Sequence, residues 1–155
     1  MTEVSFYTGV PDRLPYLCRL LRKAAQAGVN TGVCGPARLL DRLDQALWTF
    51  ESTGFLPHVR VGARGVSDFQ LRRTPIVLAE RPLDLPHRQA LLNLEASIPE
   101  GFEGFERVLE VVSQDEEQMR AGRDRFRRYK QLGYEVRHHV ITPDRSAGAR
   151  TGGDA

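Results

Sequence analysis

The chain has 155 residues, 41 % of them hydrophobic and 27 % charged, with a formal charge of +2. That composition belongs to a folded domain rather than a disordered chain, and the length fits one domain better than two. No apolar run approaches the roughly 20 residues that span a bilayer, and Met1-Thr2-Glu3-Val4 lacks the basic region and apolar core of an export signal, so the expectation is a cytoplasmic protein.

Glu3 to Thr8 reads as a first strand, with Val4 and Phe6 on one face. Gly9 to Pro11 turns the chain, and Pro11 can open a helix because its missing N–H is not needed there. Leu14, Leu17, Leu20, Leu21, Ala24 and Ala25 recur at helical spacing, with Pro15 still near the first turn and Gly28 as the stop. Val29 to Cys34 reads as a second strand. Gly35-Pro36 then leads into a helix whose apolar face carries Leu39, Leu40, Leu43, Leu47 and Trp48. Strand, helix, strand, helix begins a three-layer α/β fold with a mostly parallel sheet flanked by helices, Rossmann-like in outline.

Gly54 to Thr74 is the least regular stretch, and Gly62-Ala63-Arg64-Gly65 reads as an exposed loop or hairpin tip. Pro75 to Ala79, Ala90 to Leu94, Arg107 to Val112 and Tyr134 to Ile141 read as strands, helix being the alternative for Ala90 to Leu94. Between the last two lies the best-specified helix, expected over Gln114 to Leu132. Ser113 stands where a cap belongs and Glu116 completes a capping box. Acidic residues fill the first turn and basic ones the last, and Gly133 suits a left-handed C-terminal cap. The expected organisation is a single α/β domain over residues 1–142 and a disordered tail over 143–155, rich in Gly, Ala, Ser and Arg.

The patterns of several enzyme classes are missing. Thr8-Gly9-Val10-Pro11-Asp12 after the first strand is not G-x-G-x-x-G, and no G-x-x-x-x-G-K-[ST] occurs. In Gly32-Val33-Cys34-Gly35-Pro36 the proline removes an N–H that a phosphate cradle would use. Cys18 and Cys34 lack C-x-x-C spacing. Two buried thiols are the expectation, with a disulfide or a nucleophilic Cys34 as the sharper alternatives. His138 and His139 are adjacent, so a strand would send them to opposite faces; His58 and His87 are isolated. No metal, no cofactor and no hydrolysis of nucleoside triphosphates are expected.

The charge is informative locally. Asp115, Glu116 and Glu117 precede Arg120, Arg123, Arg125, Arg127, Arg128 and Lys130. Arg120, Arg123, Arg127 and Lys130 are three, four and three apart and stack along one helix face, with Met119 and Phe126 at its margin and Tyr129 turned further towards the core. Such a face can receive a peptide carrying acidic groups and an apolar side chain. The bland reading is a solvated helix face, and direct binding of nucleic acid is a second rival, which the neighbouring acidic cluster disfavours. A second cluster runs from Trp48 to Phe55, Pro57 and His58. Large aromatics are core by default; the alternative is a partner-facing hot spot.

Taken in order, Val4-Ser5-Phe6-Tyr7, Leu43-Asp44-x-Ala46-Leu47-Trp48, Phe55-Leu56-Pro57-His58, Glu110-Val111-Val112 and Arg123-Asp124-Arg125-Phe126-Arg127-Arg128-Tyr129-Lys130-x-x-Gly133-Tyr134 resemble the chi-subunit family of bacterial DNA polymerase III. The match extends to about Val136, and the ordered set is what makes it specific. The resemblance implies an α/β fold without catalytic activity. It also implies binding to the acidic C-terminal tail of single-stranded DNA-binding protein, which ends in a phenylalanine carboxylate. It places the tail site on Arg123, Phe126, Arg127 and Tyr129, with Lys130 beside them and either Arg120 or Met119 at a further upstream position. Where the family often has Tyr or Trp, this chain has Phe126, which keeps an apolar wall and loses a polar handle. A separate face, expected to involve Trp48, Phe55, Pro57 and His58, would bind the psi subunit or another replication or repair protein such as a helicase. The alternatives to this adaptor are a nucleotide-binding enzyme and a direct nucleic-acid binder.

Overall fold

The computed structural model describes residues 1–50 and 56–141. Phe55 of the second cluster and residues 143–155, expected as a tail, lie outside the described residues. The strands are β1 (Glu3–Val10), β2 (Thr31–Cys34), β3 (His58–Arg60), β4 (Ile76–Ala79), β5 (Ala90–Asn93), β6 (Arg107–Ser113) and β7 (Glu135–Val140). The helices are α1 (Arg13–Gln26), α2 (Ala37–Thr49), α3 (Asp68–Arg73) and α4 (Glu116–Gln131).

All strand pairs are parallel, and the order across the sheet is β3-β4-β2-β5-β6-β1-β7. Every residue of β2, β4 and β5 is buried, because helices cover both faces of the sheet centre. This is why those strands read as short apolar runs rather than alternating ones. β7 lies at the sheet edge, and most of its residues are exposed.

Alternate strand residues feed two cores. On one face Val33, Leu78, Leu92, Leu109 and Val111 pack under Leu17 and Leu21 of α1 and Leu40, Leu43 and Leu47 of α2. On the other, Val4, Phe6, Leu91, Val108 and Val112 pack under Tyr129 of α4, with Leu71 of α3 at the margin. Successive crossovers therefore lie on both faces, as expected for a three-layer fold.

Three local expectations need correction. Gly62 to Gly65 is an exposed loop, the first of the two alternatives, and not a hairpin tip. β3 and β4 are parallel neighbours, and parallel neighbours need a crossover, which here is the turn and α3. Its signal was in the sequence: Ser67 and Gln70 form a complete capping box. The cap of α4 is Asp115 rather than Ser113; its carboxylate accepts from the Gln118 N–H at 3.1 Å. Ser113 instead ends β6 in register with Val10, and its own N–H donates to Gln118 Oε1. Helix α1 begins at Arg13, with Asp12 rather than Pro11 at the boundary.

Two glycines fix the placement of α4. Gly133 follows it with φ of 92°, the left-handed conformation that glycine adopts without strain. At Gly122 a Cβ would stand 2.8 Å from Val112 Cγ2, so the helix rests on β6 only because no side chain intervenes. This approach sets which α4 residues go under the helix and which stay outside.

Candidate interaction surface and the network beneath it

Helix α4 sorts the basic block into two populations. Gly122, Arg125 and Tyr129 face inward and are buried, while Arg120, Arg123, Arg127, Arg128 and Lys130 are exposed. Phe126 lies between, half-buried, with its ring edge-on to Phe6 at 5.2 Å and to His138 of β7 at 5.7 Å. Arg123 is one turn before Phe126 on the same face, and Lys130 is one turn after, its ammonium 5.4 Å from the Phe126 ring centre. Among the described residues Arg120 and Arg123 have no ion-pair partner; Arg127 donates to Asp124 at 2.6 Å. His138 is fixed by Thr8, with Oγ1 to Nε2 at 2.7 Å. The result is an aromatic step between α4 and the edge strand, rimmed by cations.

Of the residues that the resemblance assigns to a tail site, the structure brings Arg123, Phe126 and Lys130 together, with Arg127 and Arg120 further round the helix. Tyr129 is not on this surface. It is 0 % exposed, packs edge-on against Phe6 at 5.9 Å and Phe102 at 5.3 Å, and its hydroxyl donates to Glu110 at 2.7 Å. Its place is beneath Phe126, where it shares the Phe6 ring. His138 and Thr8 were missed by the sequence reading, since only the parallel pairing of β7 with β1 brings them to α4.

The inward residues form a buried polar network. Glu110 of β6 is 0 % exposed and Arg125 is 6 % exposed. Arg125 Nε donates to Glu110 Oε1 at 3.0 Å and Nη1 donates to the Ala96 carbonyl at 2.9 Å. Asn93 Nδ2 and the Tyr129 hydroxyl both donate to Glu110 Oε2. Burial pushes the Glu110 carboxyl above its usual range, opposed by Arg125, Asn93 and Tyr129.

Cys34 joins this network through its thiol, 3.6 Å from Asn93 Oδ1. Burial pushes Cys34 up to about 12 and Cys18 up to about 11, and the two belong to cores on opposite faces of the sheet. Both are free and buried, so neither the disulfide nor the nucleophile reading of these cysteines survives. In native protein at pH 8 both should resist iodoacetamide and both should react in denaturant, which mass spectrometry after timed quenching would read. Among the described residues no three His, Cys, Asp or Glu side chains gather as metal ligands would, and no helix is long and apolar enough to cross a membrane.

The second cluster also divides. Trp48 is 57 % exposed, because Leu40, Leu43 and Leu47 take the buried face of α2. Pro57 is exposed. His58 is buried at 6 % exposure and is a support rather than a contact. Its Nδ1 donates to the Leu56 carbonyl at 2.7 Å, its Nε2 lies 3.1 Å from Asp44 Oδ1, and its ring meets Trp48 edge-on at 4.9 Å. The approach of Asp44 to His58 and the contact of the His58 ring with Trp48 bring the two halves of the Leu43-to-His58 pattern together. Trp48→Ala should change stability by less than about 1 kcal/mol in thermal or urea unfolding. A loss of about 3–5 kcal/mol would mark a core residue instead.

The family described as "DNA polymerase III chi subunit, HolC" matches residues 1–137. A curated relative from Pseudomonas aeruginosa, "DNA polymerase III subunit chi", is 32 % identical over 147 residues, covering 91 % of this chain and 98 % of the relative. By that match the chain belongs to the chi-subunit family of DNA polymerase III.

Proposed function

We propose that this chain is a non-catalytic replication adaptor that binds the acidic C-terminal tail of single-stranded DNA-binding protein and links it to the clamp loader of DNA polymerase III. The observation that carries the reading is the cation-rimmed aromatic step at the junction of α4 and β7. Arg123 and Lys130 flank the half-buried Phe126, and Arg120 and Arg127 extend the positive row. The tail's carboxylates meet the guanidinium groups, and its terminal phenylalanine packs on Phe126 and His138. Tyr129 acts from below by fixing Phe6 and, through it, Phe126.

Each contact is modest, so a single tail binds with a Kd of about 1 μM, or about −8 kcal/mol. Single-stranded DNA-binding protein presents many tails on coated DNA, and effective concentration raises the occupancy. DNA is reached indirectly. The exposed Trp48 and Pro57 mark the second face, which takes the psi subunit or another replication or repair protein such as a helicase. The protein works in the cytoplasm at replication forks. Calorimetric titration of the purified chain with a tail peptide, with and without its terminal phenylalanine, tests the reading. Equal binding of the two peptides would reduce the site to a basic surface, and no binding of either would remove it.

A further inference from the structure

A cleft of about 290 Å³ opens at the carboxyl ends of the central strands. It is bordered by Pro11 after β1, Leu94 after β5 and Ser113 at the end of β6. β6 and β1 are neighbours, yet the helix after β1 lies on one face of the sheet and the helix after β6 on the other. That divergence is a topological switch point, where open α/β sheets leave a crevice suited to ligands.

The lining has two characters. Leucines from α1 and α2, among them Leu14, Leu39 and Leu43, supply an apolar wall. Arg13 and Arg42 supply two guanidinium groups against a single carboxylate, Asp12. Among the described residues neither arginine has a hydrogen-bond or ion-pair partner, unlike Arg125, Arg127, Arg60 and Arg81 elsewhere in the fold. Arg13 is half-buried. Burial is the main influence pulling its pKa down, the cationic Arg125 adds to it, and the buried Glu110 opposes both. A cation left in that position gains from an anion brought to it.

We propose that this cleft binds a small organic phosphate, its phosphate held by Arg13 and Arg42 and its apolar or planar body laid on the leucine wall. The volume sits at the low end for small-molecule pockets, so the ligand is no larger than a mononucleotide. Side chains rather than a glycine-rich loop hold the phosphate, so no phosphate-binding motif marks the site. Gln118 Oε1 accepts from the Ser113 N–H, and the Nε2 of the same side chain can donate to the phosphate beside the two arginines. The site is separate from the α4–β7 surface and does not depend on the adaptor reading.

Phenyl phosphate is the probe, titrated into the full chain by calorimetry or by amide chemical shifts, with phenol and inorganic phosphate as the two fragments. One saturable site is expected, at least about tenfold tighter for phenyl phosphate than for either fragment. Arg42 is exposed, so Arg42→Gln should fold normally and weaken binding at least about tenfold; Arg13→Gln should do the same. The acidic tail peptide should not displace the probe. No saturation up to about 10 mM overturns the proposal, as does unchanged binding in Arg42→Gln with an unaltered melting temperature. Displacement by the tail peptide also overturns it, since the cleft would then belong to the tail. Binding of inorganic phosphate as tight as phenyl phosphate removes the apolar half of the site and overturns it too.

Discussion

Arg125→Leu is expected to cost about 3–5 kcal/mol of stability, far more than any other arginine of α4. The change removes the cation that faces Glu110 while the carboxylate stays fully buried on β6. Asn93 and Tyr129 still donate to Glu110 Oε2, but neither carries a charge. The folded variant must then either hold an unpaired carboxylate in the core or protonate it.

This gives the sign of a pH effect. Burial already raises the Glu110 pKa, and loss of Arg125 raises it further. A carboxyl whose folded pKa exceeds its unfolded value favours folding at pH below the unfolded value. That contribution is lost as pH rises through the folded pKa. The deficit of Arg125→Leu relative to the native sequence should therefore be larger at pH 8 than at pH 5. Urea unfolding at both pH values measures it. Removing both partners, in Glu110→Leu with Arg125→Met, should cost less than the two single changes summed, because no buried charge is left alone. A loss below about 1 kcal/mol for Arg125→Leu at pH 8 would mean that water reaches the pair.

The same residues show why the sequence was only partly readable. The period of α1 and α2 identified their buried leucines, while α3 lay unread in the stretch from Gly54 to Thr74; the three fully buried strands were legible as short apolar runs bounded by turns. Arg125 was hidden because it stands inside a run of exposed cations, where charge argues for solvent. The clue lay in β6. Glu110 has the same strand parity as Val108 and Val112, so alternation places a carboxylate on a core face. A buried charge needs a partner, and Arg125 shares the inward stripe of α4 with Gly122 and Tyr129. Tyr129 was drawn into the surface site by family resemblance, although helical spacing already turned it towards the core. The Ser113 cap was displaced for a different reason. Two acceptors, Ser113 and Asp115, precede the helix, and local pattern cannot tell that pairing with Val10 keeps Ser113 in the sheet.

Arg123→Ala should weaken tail-peptide binding by about ten- to a hundredfold, the loss of a charge-assisted hydrogen bond worth about 1.5–3 kcal/mol. Arg123 is exposed and has no ion-pair partner among the described residues, so the folded protein should hardly notice, with a stability change within about 0.5 kcal/mol. Arg127→Glu should weaken binding as well, but it also places a carboxylate beside Asp124, so part of its effect is local repulsion. Phe126→Ala differs from both. It removes the ring that packs on Phe6 and His138, so it should lower both peptide affinity and stability. Binding of the complete tail should fall as salt rises, because the cations are exposed and screened. The discriminating arm is the peptide that lacks only its terminal phenylalanine. On a shaped site it loses affinity to the native protein, and Phe126→Ala makes little further difference to it, because the ring and the phenylalanine act on each other. On a merely basic surface both peptides bind alike, both respond to salt with the same slope, and Phe126→Ala changes neither. Four calorimetric titrations, two peptides against native and Phe126→Ala proteins, form the double-mutant cycle that decides between them. A coupling energy near zero would remove Phe126 from the site and leave only its arginines.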